Sequence, residues 1–268
     1  MAARSALLNV MIRAADKAGR VLRRDYGEVA NLQVSRKGPA DFVSAADLRA
    51  EKILREELSR ARPDYALLME ESGASGDPAA ERRWIVDPLD GTNNFLHGLP
   101  HFSISIGLEE RGELIAGVVL DPVKDELFYA EKGRGAFLND RRIRVSARDR
   151  PEDALVAVGI PFARGSGQDT ILAELDAVRG TFGAVRRWGT ASLDLAYVAA
   201  GRFDGYWQRG LSSWDTAAGI VLVREAGGIV SEIGGRPIRH DSPSILAANQ
   251  ALHGVLNRLL RGAAPKSA

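Results

Sequence analysis

The sequence predicts a layered fold of mixed type, α+β or α/β. Three observations carry this. Apolar residues near the N-terminus follow helical spacing, the middle of the chain alternates apolar and small residues in strand fashion, and the second half mixes short apolar strands with helical segments. Helices and strands in both halves, with an antiparallel section between, fit a single domain over 1–268. Its two lobes, roughly 1–150 and 151–268, would share one cleft.

Leu7, Leu8, Met11, Ile12, Ala15, Ala18 and Leu22 give an amphipathic helix ending near Gly27. Ser35 to Ala40 reads as a loop. A second helix runs from about Asp47 to Arg60, with Ile53, Leu54 and Leu58 inward, and Pro63 closes it. Tyr65 to Met69 is a short strand that delivers Glu70-Glu71-Ser72 at its end, and Gly73 to Glu81 reads as a mobile loop.

Trp84 to Val86 is a buried strand. Phe102 to Leu108, Leu114 to Leu120 and Glu126 to Ala130 form an antiparallel meander with a turn at Arg111-Gly112. Beyond it, Leu155 to Gly159, Val185 to Arg187, Phe203 to Gln208 and Ile229-Val230 read as strands. Ile171 to Val178, Leu193 to Ala200, Trp214 to Ala226 and Leu252 to Leu260 read as helices. Gly227-Gly228 ends the third of these helices, as glycine does at a helix C-terminus. The tail from Gly262 to Ala268 is expected to fray.

Composition narrows the chemistry. With 36 basic against 35 acidic residues the net charge is +1, which gives no global field to attract nucleic acid. The clusters Arg141-Arg142-Ile143-Arg144 and Arg186-Arg187 read as solvated surface. Cysteine is absent, which excludes disulfides and thiolate metal sites and fits a cytoplasmic location. The first apolar stretch is too short and too charged for a membrane span. No Gly-x-Ser-x-Gly elbow and no Walker loop is present, and His97, His101, His240 and His253 show no ligand spacing.

The most informative stretch is Trp84-Ile85-Val86-Asp87-Pro88-Leu89-Asp90-Gly91-Thr92-Asn93-Asn94-Phe95. A strand empties into a turn holding two aspartates, fixed by Pro88 and loosened by Gly91. Such a turn can aim two carboxylates and a carbonyl at one point and leave backbone N–H groups free beside them. Oxygen ligands suit magnesium, and free N–H groups suit a phosphate. Glu70, Asp47 and Asp215 also stand at the ends of predicted elements. Several converging acids suggest two or more metals, which can clamp the attacking and leaving oxygens of a phosphoryl displacement.

These residues resemble the inositol monophosphatase family of lithium-sensitive, magnesium-dependent sugar-phosphate phosphatases. The 84–95 stretch and Trp214-Asp215-Thr216-Ala217-Ala218-Gly219 match its two long signatures. Three shorter stretches fit in the same order: Lys37 to Asp47, Glu70-Glu71-Ser72, and Arg224-Glu225-Ala226-Gly227-Gly228. The resemblance implies an α-β-α-β-α sandwich of the inositol monophosphatase and fructose-1,6-bisphosphatase type, and commonly a homodimer. It implies two or three Mg2+ ions on Glu70, Asp87, Asp90, Asp215 and the carbonyl of Leu89, with lithium inhibitory. Thr92 and Glu70 would orient the attacking water, with Asp47 holding Thr92. The N–H groups of Gly91 and Thr92 would receive phosphate oxygens. Asp90, Gly189, Thr190, Ala191, Ser192 and Gln208 would face the polyol ring.

The chain departs from the family pattern at Met69, Asn93 and Gln208. The last stands where the inositol-specific pattern usually has Glu. Gln keeps an acceptor but loses a charge-assisted bond, and Arg209 beside it offers a positive charge to a second anionic group. The implied activity is magnesium-dependent hydrolysis of myo-inositol monophosphate, or a related polyol or sugar phosphate, by metal-activated water. The alternatives are another substrate (fructose 1,6-bisphosphate, histidinol phosphate or an adenosine bisphosphate) or a binding role in an RNA or transcription complex.

Overall fold

Trp84 and Val86 turn to one face of their strand and Ile85 to the other, and all three are fully buried. A strand buried on both faces needs a covering layer on each side, and this sets the architecture. The computed structural model describes residues 4–28, 34–38, 41–160, 168–239 and 242–263.

The chain runs α1 (Ala6–Tyr26), β1 (Val34–Gly38), β2 (Asp41–Ser44), α2 (Ala45–Ala61), β3 (Ala66–Met69), β4 (Gly73–Ser75), β5 (Arg82–Asp90), α3 (Thr92–Leu96), β6 (Ser103–Glu110), β7 (Glu113–Asp121), β8 (Glu126–Glu131), β9 (Gly135–Leu138) and β10 (Arg141–Ile143). It continues through β11 (Leu155–Val158), α4 (Gln168–Arg179), β12 (Ala184–Arg186), α5 (Ala191–Ala199), β13 (Gly205–Arg209), α6 (Ser213–Glu225), β14 (Ile229–Ser231), β15 (Ser244–Ala248) and α7 (Gln250–Ala263).

An eight-stranded sheet has the order β10-β9-β8-β7-β6-β5-β3-β4, and a five-stranded sheet the order β12-β11-β13-β15-β14. Leu8, Met11, Leu22, Leu54 and Leu58 of α1 and α2 pack with Trp84, Val86, Ile106 and Val118 on one face of the large sheet. Its other face places Ile85, Val119 and Phe128 against α5 and α6. The same helices meet Ala157, Tyr206 and Ala247 of the small sheet. Val156, Trp207 and Leu246 turn the opposite way, onto Leu252, Leu256 and Leu260 of α7 and Val178 of α4. The layers are therefore α-β-α-β-α.

The layer position explains helix composition. α1 faces solvent on one side and is amphipathic, whereas every residue of α5 is buried. Ser5 caps α1, its hydroxyl accepting from Leu8 N at 3.1 Å.

The meander from β6 to β8 is antiparallel as expected, and β5 joins it antiparallel to β6. The loop expected over Ser35 to Ala40 is in part a hairpin strand: β1 pairs antiparallel with β2. Gly-Pro between two short polar segments marks a hairpin turn as readily as a loop, and no apolar alternation distinguishes them. Gly73 to Ser75, expected as mobile loop, pairs with β3. Strand β15, fully buried between β13 and β14, is rich in small residues and was not signalled by β-branched alternation. Pro39 and Ala40 of the first short motif, His240 and the end of the tail lie outside the described residues, as do the side chains of 34–43. Among the described residues no helix is long and apolar enough to cross a membrane.

Candidate active site

Strands β3 and β5 run parallel with Met69 opposite Val86. The next residue on each is an acid, and Glu70 N donates to Val86 O at 3.1 Å. Glu70 and Asp87 therefore leave adjacent strands side by side. Burial, then the charges of Glu70, Asp90 and Asp215, push Asp87 well above the usual carboxylate range.

Beyond Asp87 the ladder slips. Asp87 faces Ser105 on β6 and Asp90 faces Ser103, so Pro88 and Leu89 oppose Ile104 alone. This bulge re-aims the strand end. Asp87 Oδ1 accepts from Leu89 N at 2.9 Å and holds the turn. Gly91 then takes a left-handed φ of 93°, and a Cβ there would lie 2.6 Å from Thr190 Oγ1. Only glycine meets both demands.

Thr92 opens α3. Its hydroxyl lies 3.1 Å from Asp47 Oδ1 and 3.1 Å from the Leu89 carbonyl, either of which can accept its proton. Asp47 is completely buried at the third position of α2. Its Oδ2 accepts from Ser44 N at 2.9 Å and from Ser44 Oγ at 2.5 Å, closing a capping box. Burial raises the pKa of Asp47, and the bonds from Ser44 oppose that.

Asp90 reaches the second half of the chain. Its Oδ2 accepts from Ser192 N at 2.7 Å and Ser192 Oγ at 2.6 Å, and the Ala191 N–H also bonds it. The carboxylate thus sits on the N-terminus of α5, where orphan N–H groups favour an anion. Burial pushes its pKa up to about 6, against the pull of the Ser192 bonds. Asp215, third in α6, accepts from Ser212 N at 2.7 Å. Desolvation and then Asp90 raise its pKa well above the usual range. Asp90 and Asp215 keep some solvent contact.

The four expected acids are therefore neighbours, each feeling the others. Among the described residues, however, no three Asp, Glu, His or Cys side chains are drawn around one point as they stand. The donor set is all oxygen, desolvated, and acted on chiefly by other carboxylates. That chemistry fits a hard divalent cation once the acids deprotonate and turn inward.

The sequence matches the profile of the Inositol monophosphatase family over residues 3–264. The chain belongs to this family. An inositol-1-monophosphatase of Rhizobium meliloti (strain 1021) is 54% identical over 265 residues, covering 98% of this chain and 99% of that protein. A Nus factor SuhB of Pseudomonas aeruginosa is 44% identical over 248 residues, 91% of each chain. The crystal structure of extragenic suppressor protein suhB from Bartonella henselae superposes with a TM-score of 0.93 at 55% identity, covering 96% of this chain and 99% of that one. Membership makes the chain a phosphatase, a phosphoric monoester hydrolase, of a generally metal-dependent family.

Other expected site residues stand differently. Thr190 and Ser192 are buried. The Thr190 hydroxyl donates to His101 O at 3.1 Å, and that of Ser192 is shared between Asp90 and Ser103. Of the inositol monophosphatase ring-facing set, Gly189 lines an open cleft of about 510 Å3 with Asn93, Asn94, His101 and Trp188. Arg209 is not offered to a second anionic group: it donates twice to Glu174 Oε1, at 2.7 and 2.9 Å. Trp207 Nε1 takes the other oxygen of Glu174 at 3.2 Å.

Three contributors carried no role in the sequence reading. Asn94 Nδ2 donates to His101 O and Trp188 O, both at 2.8 Å, tying the signature to the loop before α5. Asp194, one turn into α5, is buried with neither carboxyl oxygen partnered among the described residues. Tyr206 is fully buried within the field of Asp194, Asp90 and Asp215. The only sequence signal for the last two was a polar group inside an apolar run.

Proposed function

We propose that the chain hydrolyses myo-inositol monophosphate or a related polyol or sugar phosphate, with magnesium as its metal. The observation that supports this is the delivery of Glu70, Asp87, Asp90 and Asp215 from three elements to places where each feels the others' charge, beside Thr92 and its partner Asp47. Relatives named inositol-1-monophosphatase match it over nearly their whole length. Glu70, Asp87, Asp90, Asp215 and the Leu89 carbonyl would hold two or three Mg2+ ions, with Li+ as inhibitor. When bound, the metal supplies Lewis-acid polarisation of the ester and a lowered pKa for water.

The chain's own residues do the rest. Thr92, giving its proton to Asp47, keeps oxygen lone pairs free to accept from a water. Glu70 takes that water's proton as general base. The N–H groups of Gly91 and Thr92 receive phosphate oxygens, and Asp90, Gly189 and Gln208 meet the polyol. The protein would work as a cytoplasmic homodimer.

A second reading is a binding role, favoured by the 44% identity to a protein named Nus factor SuhB. The net charge of +1 gives it no electrostatic support.

Phosphate release from a panel of esters tests the first reading. Release should need Mg2+, fall with Li+ and vanish in Asp90→Asn. Metal-independent release, or full activity in that variant, would defeat it.

A further inference from the structure

Tyr206 and Gln208 lie on the same face of β13, two residues apart. The Tyr206 hydroxyl donates to Gln208 Oε1 at 2.5 Å. Asp194 has both carboxyl oxygens unpartnered among the described residues and does not take the proton. A fully buried phenol leaves its donor unmade only at a cost, so the amide turns its oxygen to Tyr206. The side chain lies flat over Gly159, where a Cβ would come within 1.4 Å of Gln208 Oε1 and 2.0 Å of its Cδ. Gly159 is itself held, its N–H donating to Trp207 O at 3.0 Å. Gln208 is half-buried, and its Nε2 makes no hydrogen bond among the described residues.

We propose that Tyr206 and Gly159 fix Gln208 with its amide N–H groups toward the substrate, so the site selects phosphate esters offering an oxygen that accepts without donating, such as a carboxylate or carbonyl. This rests on the phosphatase reading above and deepens it. Tyr206 occupies one lone pair of the acceptor expected of Gln208, and the two amide N–H groups are the part left wholly unpartnered among the described residues. A glutamate at this position would present acceptors only and favour a hydroxyl that donates. Tyr206 acts here through Gln208 and is a positioning residue.

The test is the ratio of kcat/KM for glucuronic acid 1-phosphate to that for glucose 1-phosphate, measured with Mg2+. The two share ring and ester and differ by a carboxylate in place of a hydroxymethyl group. Gln208→Glu should lower the ratio about tenfold or more, because a charge-assisted bond becomes a repulsion. Tyr206→Phe and Gly159→Ala should each lower it severalfold, the first by freeing the amide to turn over and the second by displacing it. A merely structural defect lowers both esters alike and leaves the ratio unmoved. Gly159→Ala keeps the question open to measurement if Tyr206→Phe folds poorly. An unmoved ratio in folded Tyr206→Phe or Gly159→Ala overturns the proposal. Release from myo-inositol 1-phosphate but from neither of these two esters by the wild type overturns this proposal alone, whereas no magnesium-dependent release from any of the three defeats the proposed function and this one with it.

Discussion

Thr92 Oγ1 lies 3.1 Å from Asp47 Oδ1, across 45 residues of chain. The other oxygen of the same carboxylate accepts from Ser44 N and Ser44 Oγ at the start of α2. One buried aspartate therefore serves both as a helix cap and as the acceptor that orients a hydroxyl. The same carboxylate that secures α2 aims Thr92.

This relationship separates two substitutions. Thr92→Val removes the hydroxyl and should lower kcat by about a hundredfold or more, with little change in melting temperature. Thr92→Ser keeps it and should retain most activity. Asp47→Ala should lose activity and also about 1 kcal/mol of stability through the lost cap. Steady-state kinetics beside thermal melts decides the matter. A Thr92→Val enzyme with near-normal kcat would show that the hydroxyl orients nothing.

Asp90→Asn makes a different trade. Ser192 N–H and Oγ–H can still donate to the amide oxygen, so the link to α5 survives. One member of a like-charged cluster disappears, so the metal-free protein should melt higher at neutral pH. Its response to metal should vanish. A ligand at a hundred times its Kd adds about 2.7 kcal/mol of stability, and the wild type should show a shift of that kind with Mg2+ while the variant does not. Equal magnesium stabilisation of both proteins would remove Asp90 from the metal site.

The difference between what was and was not legible in the chain is physical. The 84–95 stretch announced its strand because Trp84, Ile85 and Val86 are apolar on both faces. It announced its turn because Pro88 and Gly91 have few other uses. The partnership of Glu70 with Asp87 was implicit in two strands ending on acids, but only the parallel register Met69 opposite Val86 makes them adjacent. Side-chain direction was not legible. Ser192 and Arg209 read as substrate-facing, yet Ser192 is turned to Asp90 and Arg209 to Glu174. Those pairings join residues 102 and 35 positions apart, and no local periodicity encodes them.

Asp194 predicts a pH signature in stability. Burial and then the charge of Asp90 raise its pKa well above the usual range. A carboxyl with a raised folded pKa stabilises the fold fully below the unfolded pKa, near 4, and loses that contribution as pH rises toward the folded value. Asp194→Asn should therefore raise stability at pH 7 to 8, by about 1–3 kcal/mol for an unsatisfied buried group relieved of charge, and change little at pH 4. Denaturant melts of the metal-free protein across this range test the sign. A variant destabilised most at high pH would mean that the carboxylate is ionised and partnered in the fold.

Helix α6 brings Asp215 to the site by riding very close over the large sheet. Gly107 and Gly117 pair across β6 and β7. A Cβ at Gly117 would lie 2.5 Å from Ala218 O and 2.8 Å from Ala218 Cα, both backbone atoms. At Gly107 it would meet Ala217 Cβ at 2.6 Å. Backbone cannot turn aside as a side chain does, so Gly117→Ala must lift the helix. That should cost about 1–3 kcal/mol as overpacking, and carry Asp215 away from Asp90. The metal requirement should rise with it, so a magnesium titration of activity ought to shift to higher concentration. Gly254→Ala is the contrast: nothing lies near that position in α7, and the helix should gain about 0.5–1 kcal/mol with the metal response unmoved. If Gly117→Ala melts and titrates like the wild type, the close approach of α6 is not what places Asp215.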